Sequence, residues 1–349
     1  MTTVLRTPKA LATAGLIAPE RTVALAAVAA RYAVAITPAL AELIDPADPH
    51  DPIARQFTPS EAELDVADNE LADPIGDHAH SPVEGIVHRY PDRLLLKVTH
   101  TCAVYCRFCF RREMVGPGGE RPLAGKALDE AIAYMAGHPE VWEVILTGGD
   151  PLVLSPRRLK DVMARLAAID HVKVVRLHTR LPVADPEGVT PGLAAALACP
   201  GKAVWLAVHA NHARELTPAA RAACARLIEA GLALVSQTVL LAGVNDDPQT
   251  LGDLMRAFVE TRIKPYYLHQ MDLAPGTGHL RVPLARGQAI LKALRGNLSG
   301  LAQPTYVLDI PGGHGKVPIG PGYVGCGPDG EPETVTDPWG ETHPYPPRN

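Results

Sequence analysis

From residue 93 onward the chain alternates between two periodicities. Short apolar, β-branched runs recur at RLLLKVT (93–99), VWEVILT (141–147), HVKVVRLHT (171–179), KAVWLAVHA (202–210), ALVSQTVLL (233–241) and KPYYLHQM (264–271). Between them stand stretches of helical character: ALDEAIAYMAGH, SPRRLKDVMARLAAI, TPAARAACARLIEAG and DPQTLGDLMRAFVETR. A strand followed by a helix, repeated roughly every 30 residues, is the βα pattern of a parallel sheet. Six such units, with PTYVLDI (304–310) as a candidate seventh strand, predict an α/β fold, a barrel or part of one. A doubly wound open sheet is the competitor, and periodicity alone does not separate the two. The repetition is architectural, without the internal sequence similarity of a solenoid.

Residues 1–80 read as a helical extension before this pattern begins. PERTVALAAVAARYA has helical character, with Pro19 and Glu20 suited to a first turn. DPADPHDPIARQFTPSEAEL is rich in Pro and Asp and is expected to be irregular and exposed. Residues 81–300 hold the βα units. Residues 301–349 form a C-terminal segment whose Pro-, Gly- and acid-rich tail is expected to be extended or flexible.

Composition narrows the class. The net charge of −5 gives no basic field, so nucleic acid is not an expected partner. Six cysteines in 349 residues are too few for a disulfide scaffold, which fits reduced thiols and a cytoplasmic location. The longest apolar run, TVALAAVAA between Arg21 and Arg31, falls far short of the roughly 20 residues that span a bilayer. The first residues lack a signal-peptide core, so no membrane partner is expected.

The unusual residues all fall after strands. HTCAVYCRFC follows the first run, GGDPL the second, HANHARE the fourth, NDD the fifth, DLAPGTGH the sixth and PGGHGK the last. In parallel α/β folds the C-terminal strand ends carry the site. One rim collecting every odd cluster argues for an enzyme.

Cys102, Cys106 and Cys109 have metal-ligand character as thiolates. A structural zinc wants a fourth ligand, and Cys199, Cys224 and Cys326 are scattered. Three cysteines on a [4Fe–4S] cluster leave one iron open to a small molecule, so three is a functional number. Lys316 in PGGHGK invites a phosphate-loop reading, but Ile310 stands where that pattern needs Gly and Val317 where it needs Ser or Thr.

CxxxCxxC after the first strand of such a barrel resembles the radical S-adenosylmethionine superfamily. TCAVYCRFCFRR, LTGGDPL, HANH, SQTVLLAGVND, PYYLHQMDL and PGGHGK, in that order over residues 84–324, resemble the lysine 2,3-aminomutase family. The resemblance implies a partial (βα)6 barrel of the radical SAM type. It implies a [4Fe–4S] cluster on Cys102, Cys106 and Cys109, with S-adenosylmethionine chelated at the open iron. Gly148, Gly149, Asp150, His209 and Gln237 are then its cofactor-side residues. Lys316 is implied as the lysine that holds pyridoxal 5′-phosphate, with Arg89 and Arg93 on its phosphate. Arg111 is implied on the substrate carboxylate. Asp272 and Asp309 are implied on the ammonium tail of L-lysine, a pair that would repel a glutamate side chain. The implied reaction moves the amino group between C2 and C3 by radical chemistry, giving β-lysine. It needs an electron donor such as flavodoxin or ferredoxin.

Two departures qualify the resemblance. Long members carry a cysteine-rich C-terminal zinc segment completed by a cysteine after the fifth strand. Here Asp247 stands at that position and the tail offers only Cys326, so no structural zinc is expected, and a homo-oligomer is left open. The short length is also similar to a neighbouring subfamily that makes β-lysine for elongation factor P. That enzyme, or an aminomutase for another amino acid, is the alternative. A non-catalytic scaffold would have lost Lys316 or a cysteine, and neither is lost.

Overall fold

The computed structural model describes residues 3–116, 122–328 and 330–347. Nine strands form one sheet in chain order: β1 (Ile86–Tyr90), β2 (Arg93–Thr99), β3 (Glu143–Gly148), β4 (Val174–Thr179), β5 (Ala203–His209), β6 (Ala233–Val239), β7 (Lys264–His269), β8 (Thr305–Asp309) and β9 (Lys316–Pro318). Strands β2 to β8 run parallel. The short strands β1 and β9 pair antiparallel at the two edges. The sheet curls into a partial α/β barrel. The doubly wound alternative is excluded, because its strand order must reverse at a switch point and this one never does.

Period-two alternation explains the curl's two faces. Leu94, Leu96 and Val98 of β2, Val144 and Leu146 of β3, Val175 and Leu177 of β4, and Leu206 and Val208 of β5 join one buried core. The helix Pro156–Ala167 adds Leu159, Val162, Met163 and Leu166 to it, and the helix Pro248–Glu260 adds Leu251, Leu254, Met255 and Phe258. Intervening positions carry Lys97, Thr147, His178, His209, Gln237, His269 and Asp309 and face the concave side. Helices therefore cover the apolar face and leave a polar interior.

The outer helices start where the sequence gives them caps. Ser155, Thr217 and Asp247 each precede a proline, and their side chains accept from Arg158 N (3.4 Å), Ala220 N (3.1 Å) and Thr250 N (2.9 Å). An oxygen acceptor at the cap with proline at the first helical position satisfies otherwise unpaired amides. Asp247 is thus a helix cap.

The N-terminal segment contains the helices Pro8–Thr13 and Thr22–Arg31, preceded by a short turn at Pro19–Arg21. The Pro- and Asp-rich stretch after it differs from expectation. It forms a short helix, Ala54–Phe57, and a capped turn, Glu61–Leu64, and it buries Asp51, Ile53, Gln56, Phe57 and Glu63. Its acidic side chains accept hydrogen bonds from arginines elsewhere in the chain, which local composition does not reveal. Apolar residues of this segment share a second core with Val104 and Ala184 of the barrel.

The tail, expected to be extended or flexible, is extended and paired. Its strands β10 (Val324–Cys326), β11 (Pro332–Thr336) and β12 (Thr342–Pro344) form a separate antiparallel sheet. Among the described residues, no helix is long and apolar enough to cross a membrane.

Candidate active site

The loop after β2 carries the three cysteines to the rim. Cys102, Cys106 and Cys109 line one small cavity with Tyr32, Arg107 and Arg112. Burial pushes all three thiols up, Cys109 to about 11, and their mutual repulsion adds to the shift at Cys102 and Cys109. A buried thiolate triad needs a cation between its sulfurs. The other cysteines are elsewhere: Cys199 and Cys224 are buried in the helix-side core and Cys326 is exposed on β10. Three sulfurs at one cavity fit an iron–sulfur cubane with one open iron, and they are one donor short of a closed zinc site.

Two buried arginines lock this loop. Arg107 grips Glu63 through Nε (3.0 and 3.1 Å) and Nη2 (2.6 Å) and donates to Ala33 O (2.7 Å). Arg112 also bonds Glu63, donates to Arg107 O at 3.0 Å and stacks 3.5 Å from the Tyr32 ring centroid. Burial favours a protonated Glu63, but the two guanidiniums overcome it and hold its carboxyl below the usual range.

The turn after β3 packs directly on the cysteine loop. A Cβ at Gly148, where φ is +106°, would lie 2.4 Å from Thr99 O, and one at Gly149 would lie 2.3 Å from Thr101 O. Both glycines exist to let two backbones touch. Asp150 is buried and accepts from Leu152 N (2.9 Å), Thr179 Oγ1 (2.8 Å), Arg180 N (2.8 Å) and Leu181 N (3.1 Å). Its carboxylate therefore ties the end of β3 to the end of β4.

At the other side of the interior, Lys316 Nζ bonds the Asp309 carboxylate and lies 3.2 Å from His269 Nδ1. The glycines before it, Gly312, Gly313 and Gly315, take φ of +86°, +86° and +97°. Gly313 meets Gly76 so closely that a Cβ on Gly76 would lie 2.6 Å from Gly313 N. Burial lowers His269 to about 4 with help from Lys316, so the ring is neutral near pH 7. Burial works to raise Asp309, but His269 and Lys316 hold it well below the usual carboxylate range. Asp272 goes the other way: burial and the Asp309 charge lift it to about 7.

The three arginines are placed differently. Arg111 is buried and gives Nε (3.0 Å) and Nη2 (2.8 Å) to Asp77, with Nη1 3.5 Å from Thr147 Oγ1. Arg89 shares the same carboxylate at 3.2 Å. Arg93 pairs with Asp92 at 2.6 Å, stacks 3.7 Å from the Tyr90 ring centroid and is about one third exposed. His209 and Gln237 sit opposite each other at the ends of β5 and β6. The interior also holds buried ring nitrogens without a protein partner: Nε2 of His178, His209 and His269. These unpartnered ring nitrogens, with Lys316, fit a polar cofactor in the concavity. His212 caps the short turn Ala213–Glu215, and His314 is exposed.

Sequence reasoning missed Glu63, Asp77, Arg107, Arg112, His178, Arg180, Glu215 and His269. Arg107 and Arg112 flank the cysteines and His269 lies in a strand already singled out. Alternation marks His178 as concave-facing. Glu215 lies in the HANHARE stretch already singled out, whereas Glu63 and Asp77 carry no local sign of their arginine partners.

Residues 96–255 match the radical SAM superfamily, and residues 291–328 match a family described as lysine-2,3-aminomutase. The chain is 43% identical over 291 residues to an L-lysine 2,3-aminomutase of Clostridium subterminale, covering 83% of this chain and 70% of that protein. Identity, length and coverage are the same against an L-lysine 2,3-aminomutase of Acetoanaerobium sticklandii. A glutamate 2,3-aminomutase of Clostridioides difficile is 37% identical over 297 residues, covering 85% of this chain and 70% of that protein.

Proposed function

The chain belongs to the lysine 2,3-aminomutase family of radical S-adenosylmethionine enzymes, and on that premise we propose that it interconverts L-lysine and β-lysine with pyridoxal 5′-phosphate held at Lys316. Family membership implies a [4Fe–4S] cluster and S-adenosylmethionine, which together supply one-electron hydrogen-atom abstraction. Pyridoxal phosphate supplies the conjugated electrophile through which an amino nitrogen migrates. The observation that carries the lysine reading is the convergence of Asp272 and Asp309 on Lys316, with Arg111 within electrostatic reach of Asp272. A substrate with a carboxylate at one end and an ammonium at the other matches Arg111 against the two aspartates. Glutamate meets the ionised Asp309 and a partly ionised Asp272 there.

In this reading each residue has a local task. Cys102, Cys106 and Cys109 ligate three irons. His209 and Gln237 contact S-adenosylmethionine. Gly148, Gly149 and Asp150 act by fixing the β3 turn against the cluster loop. Arg89 and Arg93 hold the cofactor phosphate and Arg111 the substrate carboxylate. Lys316 has to lose a proton from Nζ before it reacts, and Nζ is oriented in the pocket by the Asp309 carboxylate and by neutral His269, whose Nδ1 lies 3.2 Å away. An electron donor such as flavodoxin or ferredoxin serves the cluster.

The test is anaerobic turnover. The reconstituted protein, given pyridoxal phosphate, S-adenosylmethionine, dithionite and L-lysine, is expected to form β-lysine, resolved by chiral chromatography. The enantiomer decides between an enzyme for free L-lysine and a supplier for elongation factor P. Accumulation of 5′-deoxyadenosine without β-lysine would keep the radical chemistry and overturn the substrate.

A further inference from the structure

Arg180 lies in none of the roles above, yet it reaches a cluster sulfur. Its Nη1 is 3.4 Å from Cys106 Sγ. Its Nη2 is taken by Gln56 Oε1 at 2.7 Å and by the Glu215 carboxylate. Phe57 and Phe108 lie against the guanidinium, 4.6 and 5.6 Å from its carbon to their ring centroids. Its backbone amide is held by Asp150. A planar fork fixed at one edge and packed on its faces has little freedom, so the other edge points at sulfur. Glu215 is fixed in turn, accepting from Asn211 N (2.8 Å), His212 N (2.9 Å) and Gln56 Nε2 (3.2 Å). Arg180, Glu215 and Gln56 are all buried, so the charges are poorly screened.

We propose that Arg180 is a positioning residue that raises the reduction potential of the cluster by donating to Cys106 Sγ, and that Glu215 limits this effect from the far side of the guanidinium. The proposal rests on the reading of Cys102, Cys106 and Cys109 as cluster ligands. Reduction adds one electron, from dithionite in the test, to the cluster and its sulfurs. A hydrogen bond and a positive charge at a ligating sulfur stabilise the reduced form more than the oxidised form. A negative charge behind that donor opposes it. The two residues therefore act with opposite signs, which a purely structural pair does not do.

The experiment is potentiometric titration of the reconstituted full chain, followed by the paramagnetic signal of the reduced cluster. Arg180→Met is expected to make reduction about tenfold less favourable, a fall of about 59 mV for one electron. Glu215→Gln keeps the shape, removes the charge and is expected to raise the potential. Arg180→Lys keeps the charge without the fork and should fall between wild type and the Met variant. An unchanged potential in Arg180→Met at full iron content overturns the proposal. If that variant does not load iron, Glu215→Gln decides: a raised potential supports the proposal, and an unchanged or lower one overturns it. Should all three variants fail to hold a cluster while wild type does, the role is structural and the proposal falls. A wild type that forms no cluster overturns the cysteine reading itself. Neither measurement depends on lysine turnover.

Discussion

Asp272 and Asp309 share one pocket and are shifted in opposite directions. Asp309 has Lys316 and His269 as partners and stays ionised. Asp272 has burial and a neighbouring anion, and its carboxyl sits at about 7 against an ordinary 3.8. Between those two values the unfolded chain releases a proton that the folded chain keeps. Ionising Asp272 therefore costs stability progressively as pH rises from 3.8 to about 7, with no further cost above. Asp272→Asn never ionises. Its melting temperature relative to wild type is expected to climb across that window and level off above it, by parallel thermal melts in a pH series. A pH-independent difference would refute the shift. Both aspartates were legible through the family resemblance, Asp272 directly after the KPYYLHQM strand and Asp309 seven residues before Lys316. Asp77 was not, because one acid among 38 gives no hint that two arginines converge on it.

At the scale of elements, the strands were legible because alternation writes the concave and helix-side faces into the chain. The edge strands β1 and β9 were missed because they are short and antiparallel. The helix Leu284–Leu294 was missed because it starts without a side-chain cap and contains Gly287, where a Cβ would lie 2.1 Å from Tyr306 Oη. The β3 turn gives the sharpest test of element contact. Gly149→Ala puts a methyl 2.3 Å from a backbone oxygen that cannot swing away. The turn and the cluster loop must then separate, so the variant is expected to lose most of its iron after reconstitution and to melt several degrees lower. Gly231→Ala is the control. Gly231 has a positive φ, at +87°, which Gly149 does not, but nothing lies within 4 Å of its missing Cβ. Backbone strain alone costs it about 1 kcal/mol, and it should keep its iron. Equal iron content in both variants would mean that the close approach does not matter to the cluster.

The two ends of the chain relate to the barrel in opposite ways, and here local sequence was least informative. The N-terminal segment supplies buried carboxylates to the site side: Glu63 to Arg107 and Arg112, Asp77 to Arg89 and Arg111, and Glu70 to Arg281 and Gly276 N. Its Pro- and Asp-rich composition looked solvent-bound because those partners lie far away in sequence. The tail is the reverse case: none of its described residues from 321 onward joins any of the three buried cores, and Val324 and Trp339 are 60% and 75% exposed. Removing one partner of a buried ion pair costs about 3–5 kcal/mol, and a domain's total stability is only about 5–15 kcal/mol. A chain starting at residue 81 strips several such pairs at once and uncovers the core around Val104. It is expected to fail to fold or to bind iron. A chain ending at residue 320 keeps β9 and Lys316 and loses only the separate sheet. It is expected to retain full iron content. Iron analysis and thermal melts on the two truncations check both halves. Should the N-terminal truncation load iron normally, the buried carboxylates do not hold the cluster loop. If only the C-terminal truncation loses iron, the tail supports the site through contacts other than the cores.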